Sequence, residues 1–336
     1  MNGFLRKAAR KVNFVWNYCN DIQRQAVKAK RKWPSGFDLA KLTTGTSQDL
    51  EITAQTVAGV GYQYDRSRKQ FKKPWLKWRS KRSLGWVPLT KQDLKYKDGV
   101  FRYMKKDFNV FGIKDRPLDG KICDGSSFSQ DSRGRWYLNV VVDLPTPETR
   151  PGSKSVGIDL GLKDFVVQSD GKKVENPRIL NSYAEKLATF QKANKKKQVR
   201  NVHAKIKNVR KDFQHKLSNE ITKEFNNIFV GDVSSSKLMK TKMAKSVGDA
   251  SWYQFKVMLG YKSIRNGSKY FEVDESYTTQ TCSVCEQRTG PKGLSGLNER
   301  FWICPCGANH DRDINSAVNI QNRGLSRETP VEGLKD

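Results

Sequence analysis

The residue types able to do chemistry gather near the end of the chain. Cys282 and Cys285 are separated by Ser-Val, Cys304 and Cys306 by a single proline, and Asp311 and Asp313 open a helical pattern soon after. Paired thiolates are the ligands a structural zinc ion needs, so these four cysteines are candidate zinc ligands, with His310 as a rival. Carboxylates are hard-oxygen ligands suited to magnesium. One aspartate of the pair can serve as a helix N-cap, and Asp311 takes that role, which leaves Asp313 for a metal. Upstream, Asp159 ends an apolar run between Gly157 and Gly161, and these glycines are expected to leave open space on its side of a strand. Two magnesium ions roughly 3.5–4 Å apart can activate a water and stabilise a leaving oxygen in phosphodiester hydrolysis, with one carboxylate bridging them. Ser316 and Ala317 share the helix face of Asp313 and are small enough to bring that helix close to a sheet.

The chain that must position these groups has 336 residues, with 63 Lys and Arg against 34 Asp and Glu, a net charge of +29. Such an excess implies a polyanionic partner, and nucleic acid is the strongest candidate. The aromatic content argues for folded cores rather than a basic disordered tail. No apolar run is long enough to span a bilayer, no lipidation signal is present, and the basic N-terminus lacks a signal-peptide core, so no membrane partner is expected. Four of six cysteines in metal-type spacing fit a reducing cytoplasm better than a disulfide framework. Cys19 and Cys123 read as small packing residues.

Phe4, Leu5, Ala8, Val12, Val15, Trp16, Cys19 and Ile22 recur at helical spacing, and a second helical stretch runs from about Asp49 to Arg68. A connector rich in lysine, arginine and tryptophan follows. Trp75, Trp78 and Trp86 are either core residues or base-stacking residues. Short β-rich runs from about 86 to 144, among them residues 107–113 and 136–144, predict a small barrel or sandwich. Residues 145–153 read as a linker. Beyond it come a strand ending at Asp159, a hairpin, a long basic helical region over about 181–226, a strand at 228–233, a helix near 251–262 and a strand at 270–276. Acids at strand ends in a strand–hairpin–strand–helix–strand–helix order suggest a mixed α/β sheet.

Four segments carry a resemblance: Gly157-Ile-Asp-Leu-Gly-Leu, Arg210-Lys-Asp-Phe-Gln-His-Lys-Leu-Ser, Val273-Asp-Glu-Ser-Tyr-Thr-Thr-Gln-Thr-Cys-Ser-Val-Cys and His310-Asp-Arg-Asp-Ile-Asn-Ser-Ala-Val-Asn-Ile. Together the sequence resembles the TnpB (OrfB-type) RNA-guided endonucleases of bacterial insertion sequences, compact relatives of type V CRISPR effectors. The match is dense from about 156 to 320 and weaker before that. The resemblance implies a multidomain α/β protein: a helical recognition lobe (1–83), a β-barrel wedge domain (84–148), a RuvC (RNase H-like) nuclease part (153–281), a zinc-binding module (282–306), and a closing helix and tail (307–336). It implies an element-derived guide RNA, a double-stranded DNA target, catalytic Mg2+, structural Zn2+ and a cytoplasmic, nucleoid-associated location. Guide pairing would read the target while the protein holds the heteroduplex by shape and charge. Nothing in the sequence fixes an oligomeric state.

The pattern departs from the family in three places. The family's middle strand carries Glu-Asp-Leu, whereas this chain reads Val230-Gly-Asp-Val. Strand alternation sends Asp232 to the face opposite Gly231. Glu275, on the neighbouring strand, has the reach to fill the vacant place, so Asp159, Glu275 and Asp313 are the expected catalytic magnesium ligands, with Asp232 as alternative middle ligand. The second departure is the Cys-Pro-Cys spacing, which asks for a tighter turn. The third is the start: the family's opening barrel strand is missing, so either the chain is trimmed or the barrel lacks that strand.

An RNA-guided endonuclease is the leading expectation. A nuclease-dead RNA-guided binder, repressor-like, is the alternative that Gly231 keeps open, and a strand-joining transposase ranks below both. Lys195, Lys196, Lys197, Arg200, Lys205, Arg210, Lys211 and Lys216 are the expected backbone contacts to nucleic acid, although a charge run is usually a solvated face.

Overall fold

The computed structural model describes residues 2–113, 118–292, 296 and 299–328, so residues 329–336 of the expected closing segment lie outside the described residues. The chain divides into two compact units, Met1–Pro145 and Thr146–Asp336.

The first unit opens with α1 (Asn2–Lys28), α2 (Gly36–Leu42), α3 (Thr46–Asp49) and α4 (Ala54–Gln70). Strands β1 (Trp86–Leu89), β2 (Lys95–Lys97), β3 (Val100–Tyr103), β4 (Lys106–Phe108), β5 (Lys121–Ile122), β6 (Ser126–Gln130), β7 (Trp136–Asn139) and β8 (Val142–Asp143) follow. The apolar stripe of α1 turns inward as its spacing requires: Leu5, Val12, Val15 and Cys19 share one core with Tyr64, Val87, Phe101, Tyr103 and Phe128. The strands form three small antiparallel sheets, β1-β6-β7, β2-β3-β4 and β5-β8, and no closed barrel among the described residues. The strand expected over 107–113 stops at Phe108, because Gly112 turns the chain at φ +79 and leaves Phe111 fully exposed.

Between α4 and β1 the connector runs extended along α1, held by three asparagines on one helix face. Asn20 Oδ1 accepts from the Leu76 N–H at 2.9 Å, and Asn17 exchanges two 2.8 Å hydrogen bonds with the Arg79 backbone. Asn13 Nδ2 donates to the Ser80 carbonyl, and Trp16 Nε1 to that of Lys77.

The second unit contains β9 (Ser155–Asp159), β10 (Asp164–Gln168), β11 (Lys173–Glu175), α5 (Ile179–Ser182), α6 (Ala184–Lys192), α7 (Lys196–Glu224) and β12 (Asn227–Gly231). Next come α8 (Ser235–Leu238), α9 (Ala244–Ala250), α10 (Trp252–Asn266), β13 (Lys269–Val273), β14 (Phe301–Ile303), β15 (Asn309–Asp311) and α11 (Arg312–Glu328). The helical region expected over 181–226 is broken before α7, where Asn194 takes φ +50. The five-stranded sheet has the order β11-β10-β9-β12-β13, with β9, β12 and β13 parallel and β10 and β11 antiparallel additions. This is the mixed α/β sheet that the order of elements predicts.

Strand alternation gives the sheet two different faces. Val156, Ile158, Ile228 and Val230 pack against Leu217 and Ile221 of α7 and Phe255 and Leu259 of α10. The other face carries Gly157, Asp159, Phe229, Gly231 and Val273, and α11 crosses it through Ile320. That crossing is very close. A methyl group at Gly157 would collide with the Ala317 carbonyl oxygen, and one at Gly324 with the Phe229 ring. The expectation of open space at Gly157 is therefore wrong: the missing side chain admits the α11 backbone. Gly161 is likewise filled, by the Asp164 carbonyl of the hairpin turn. The small residues Ser316 and Ala317 do lie, fully buried, at the approach.

Gly157→Ala is expected to cost about 1–3 kcal/mol or more, because the colliding atom is backbone and cannot rotate away. Gly3→Ala, with nothing near its added carbon in α1, should be neutral or stabilising. Chemical denaturation of both variants checks the contrast.

Candidate active site and metal centre

Asp159 is the last residue of β9, and its side chain points to the α11 side of the sheet. Asp313 stands in the first turn of α11, placed there by Asp311, whose Oδ1 accepts the N–H groups of Asp313 and Ile314 at 3.1 Å as the N-cap. Lys173 holds the other Asp311 oxygen at 2.6 Å. Asp311 thus fixes the helix start and leaves Asp313 to face the sheet.

Glu275 follows β13 by two residues. A carbon added at Gly231 would lie 2.6 Å from Glu275 Oε2 and 3.3 Å from its Cβ. The glutamate side chain therefore occupies the space beside the glycine of the middle strand. Asp232 lies close by: its N–H donates to the Val273 carbonyl at 2.9 Å, and its Oδ1 accepts from the Glu275 N–H at 3.3 Å. It is exposed and braces the Glu275 backbone.

Asp159 senses the other two candidate ligands. Burial, followed by the negative fields of Asp313 and Glu275, pushes the Asp159 carboxyl up to about 7. A hydrogen bond from Ser316 and the charge of Arg312 oppose the shift. Burial and the field of Asp232 push Glu275 up to about 7 against the pull of Lys256. Asp313 is held by two cations, an ion pair with Arg300 and a 3.3 Å contact from Arg312 Nε. Sequence reasoning missed Arg300 and Lys256, since only the fold brings them to the acids, and it passed over Arg312, which adjoins Asp313 in the chain. As placed, the carboxylates of Asp159, Glu275 and Asp313 do not all come within 4.8 Å of one another; a divalent cation drawing them together would satisfy the charge that burial penalises at Asp159 and Glu275.

The cysteines make a tighter group. Among the described residues they are the one set of three or more His, Cys, Asp or Glu close enough to hold an ion as placed, with all four sulfurs within 4.8 Å of one another. Cys282 Sγ lies 3.8 Å from Cys306 Sγ, and Cys285 Sγ 3.5 Å from Cys304 Sγ. Sulfurs bound tetrahedrally at about 2.3 Å from zinc stand roughly 3.8 Å apart, so the donor set fits that ion. The short Cys-Pro-Cys turn closes through a 2.8 Å bond from the Gly307 N–H to the Cys304 carbonyl, with Gly307 at φ +89. The Cys306 N–H and the Thr289 hydroxyl lower the Cys304 thiol to about 6, favouring the thiolate. His310 packs tilted against Trp302 and sets its Nε2 3.0 Å from Cys282 Sγ, at the edge of the quartet.

Helix α11 ties the two groups together. Asn315 and Asn319, one turn apart, both donate to the carbonyls of Thr278 and Thr281, and Asn315 Oδ1 accepts from the Ser283 N–H. The loop entering the cysteine module is thereby clamped to the helix that carries Asp313.

Of the basic residues expected to meet nucleic acid, Lys195, Lys196, Lys197, Arg200, Lys205 and Lys216 are exposed at the start of α7 and along it. Lys216 pairs with Asp212 at 2.8 Å, and Lys211 is half-buried. Arg210 departs from the expectation. It turns inward to Asp249, which also accepts from the Leu180 N–H, and so ties α7 to α9.

Two family profiles match the chain: OrfB_IS605, described as "Probable transposase", over residues 139–242, and "Cas12f1-like, TNB domain" over residues 252–320. Residues 139–242 are thus similar to the OrfB transposases of IS605-type elements, and residues 252–320 to a domain of Cas12f1-like proteins. A Streptomyces pristinaespiralis protein named "Putative RNA-guided DNA endonuclease" is 29% identical over 93% of this chain and 80% of its own length. The Escherichia coli (strain K12) protein named "Putative RNA-guided DNA endonuclease InsQ" is 26% identical over 57% of this chain and 55% of that protein. The mimivirus TnpB-like protein L79 is 25% identical over 58% of this chain and 42% of its own. The chain thus spans about half or less of the latter two relatives. Among solved structures, a Cas12f1–sgRNA–target DNA complex overlaps loosely, with a TM-score of 0.42 at 15% identity over 95% of this chain.

Because the Asp159 and Glu275 carboxyls titrate near 7 in the fold and near 4 when unfolded, the folded protein keeps protons between those values that the unfolded chain releases. Their contribution to stability therefore falls as pH rises from about 4 to 7. Metal-free protein is expected to melt lower at pH 8 than at pH 5.5. Asp159→Asn should flatten that slope and raise the pH 8 midpoint, as thermal scans at both pH values will show.

Elemental analysis of purified protein is expected to find zinc near one per chain. Cys282→Ala should lose the zinc and melt at a lower temperature. Folded wild-type protein free of zinc would refute the fit.

Proposed function

We propose that this protein is an RNA-guided DNA endonuclease that cuts through a RuvC-type, magnesium-dependent centre at Asp159, Glu275 and Asp313. The observation that carries the reading is the repulsion that Asp159 of β9 meets from carboxyls of the loop after β13 and of α11, in a chain whose relatives are named for this activity. Bound magnesium would supply a nucleophile at neutral pH and charge stabilisation for the leaving oxygen. Asp159, desolvated at the sheet end, is the central ligand. Ser316 orients its carboxyl, and Glu275 takes the place left by Gly231. Asp313 must give up its pairing with Arg300 before it can face a metal, while Arg300, once released, is a cation beside the phosphate path.

The remaining parts follow the same reading. The 153–281 segment with α11 forms an RNase H-like nuclease domain, and the cysteine module at 282–306 is a zinc ribbon. Residues 1–83 and 84–148 serve as recognition lobe and wedge. The partners are an element-derived guide RNA and a DNA duplex, met by the exposed lysines and arginine of α7 and held with strong salt dependence.

Cleavage of a target plasmid with the matching guide decides the matter. Asp159→Asn and Asp313→Asn are expected to lose at least roughly a hundredfold in cutting rate, with guide binding unchanged by gel shift. Glu275→Ala should fall with them and Asp232→Ala should stay within a fewfold of wild type. The reverse order would make Asp232 the middle ligand, and a wild-type protein that binds but never cuts would leave a guided DNA binder.

A further inference from the structure

The connector between α4 and β1 holds two tryptophans that the cores do not use. Trp75 is 43% exposed and Trp78 47%, whereas Trp86 packs edge-on against Trp16 in the first unit's core. Half-exposed indoles are ordinarily unfavourable, and a flexible loop would fold them inward. Here the backbone is fixed by Asn13, Asn17 and Asn20, which grip it at Leu76, Arg79 and Ser80. Arg24, one turn beyond Asn20 on α1, sets its guanidinium carbon 5.7 Å from the Trp75 ring centre and 5.8 Å from that of Trp78. One cation thus buttresses both rings.

The connector itself carries only basic charges. No acidic residue occurs between Asp65 and Asp93, and Lys72, Lys73, Lys77, Lys81 and Arg82 are exposed along the connector. Rigid aromatic faces beside phosphate-binding cations are the parts from which single-strand sites are built, because every base offers a π face to stack on. A protein partner would want apolar surface without this charge, and duplex DNA keeps its bases stacked inside. RNA is the polynucleotide that presents unpaired bases in loops and ends.

We propose that Trp75 and Trp78, braced by Arg24, form a stacking platform for unpaired bases of RNA. The platform is independent of the carboxylate centre, since stacking needs no metal, and its failure would leave the nuclease reading untouched.

The test uses the full chain in EDTA, so that no cleavage contributes. Anisotropy measures binding of a short unstructured RNA oligonucleotide and of the DNA of the same sequence, with inorganic polyphosphate as a charge-only competitor. Trp75→Ala/Trp78→Ala is expected to weaken RNA binding roughly 5- to 100-fold and to leave polyphosphate competition unchanged. Trp75→Phe/Trp78→Phe, which keeps a ring at each place, should recover most of the affinity. RNA should also quench the wild-type tryptophan fluorescence more than that of the phenylalanine variant, a readout that holds even where the alanine variant melts. Wild-type RNA affinity in the folded alanine variant, equal weakening toward polyphosphate, loss toward DNA alone, or equal quenching in wild type and the phenylalanine variant would each overturn the proposal.

Discussion

The close crossing of α11 over β9 and β12 is the constraint from which the rest of the second unit follows. It requires Gly157 on the strand, Gly324 on the helix and small residues at 316 and 317 between them. A helix packed on a sheet usually stands off by the thickness of two side-chain layers. Here one layer is missing along part of the contact, so the first turn of α11 comes down beside the end of β9. That brings Asp313 within electrostatic reach of Asp159. The energetic penalty is visible in the carboxyl groups themselves, two of which are pushed to about 7. Folding this unit assembles a site in a protonation state that a divalent cation would reverse, which is how structural compactness and metal chemistry become linked.

Much of this is legible in the sequence because the relevant signals are local. The apolar stripe of α1, the strand ending at Asp159, the cap at Asp311 and the paired cysteines each follow from a few neighbouring residues. The role of Gly157 is hidden for a physical reason: a missing side chain looks the same in sequence whether it leaves space for a ligand or admits a backbone. The break before α7 turns on a single left-handed residue, Asn194, inside a run whose composition favours helix throughout. The inward turn of Arg210 is hidden as well, since its partner Asp249 lies far along the chain. Arg300 carries no pattern at all, and its place beside Asp313 exists only once the β14–β15 hairpin has formed.

Gly231 and Glu275 share one space at the end of the sheet. In a parallel pair, β12 and β13 run in register with Gly231 opposite Val273. Two residues later the chain emerges on the same face, and a glutamate there is long enough to lie back over the glycine. Glu275 fits there because Gly231 has no Cβ: a side chain at that place would meet the Glu275 carboxylate. Glycine and glutamate are thus a matched pair across two strands, and restoring one without removing the other would crowd the site. Asp232, facing away and bonded to the Glu275 N–H, contributes to the same arrangement by holding the turn that returns Glu275 to the sheet.

The asparagine pair on α11 gives the cysteine module a reason to be where it is. Asn315 and Asn319 hold the carbonyls of Thr278 and Thr281 from one side of the helix, while Ser316 reaches Asp159 and the Thr278 hydroxyl from the other. A loop bound at both Glu275 and Cys282 has little freedom between them. An ion held by four thiolates would stiffen the far end of that loop, and stiffening it confines Glu275 at the near end. The cysteine quartet and Glu275 are therefore joined mechanically through Thr278, although no side chain belongs to both, and order at one end of the loop limits freedom at the other.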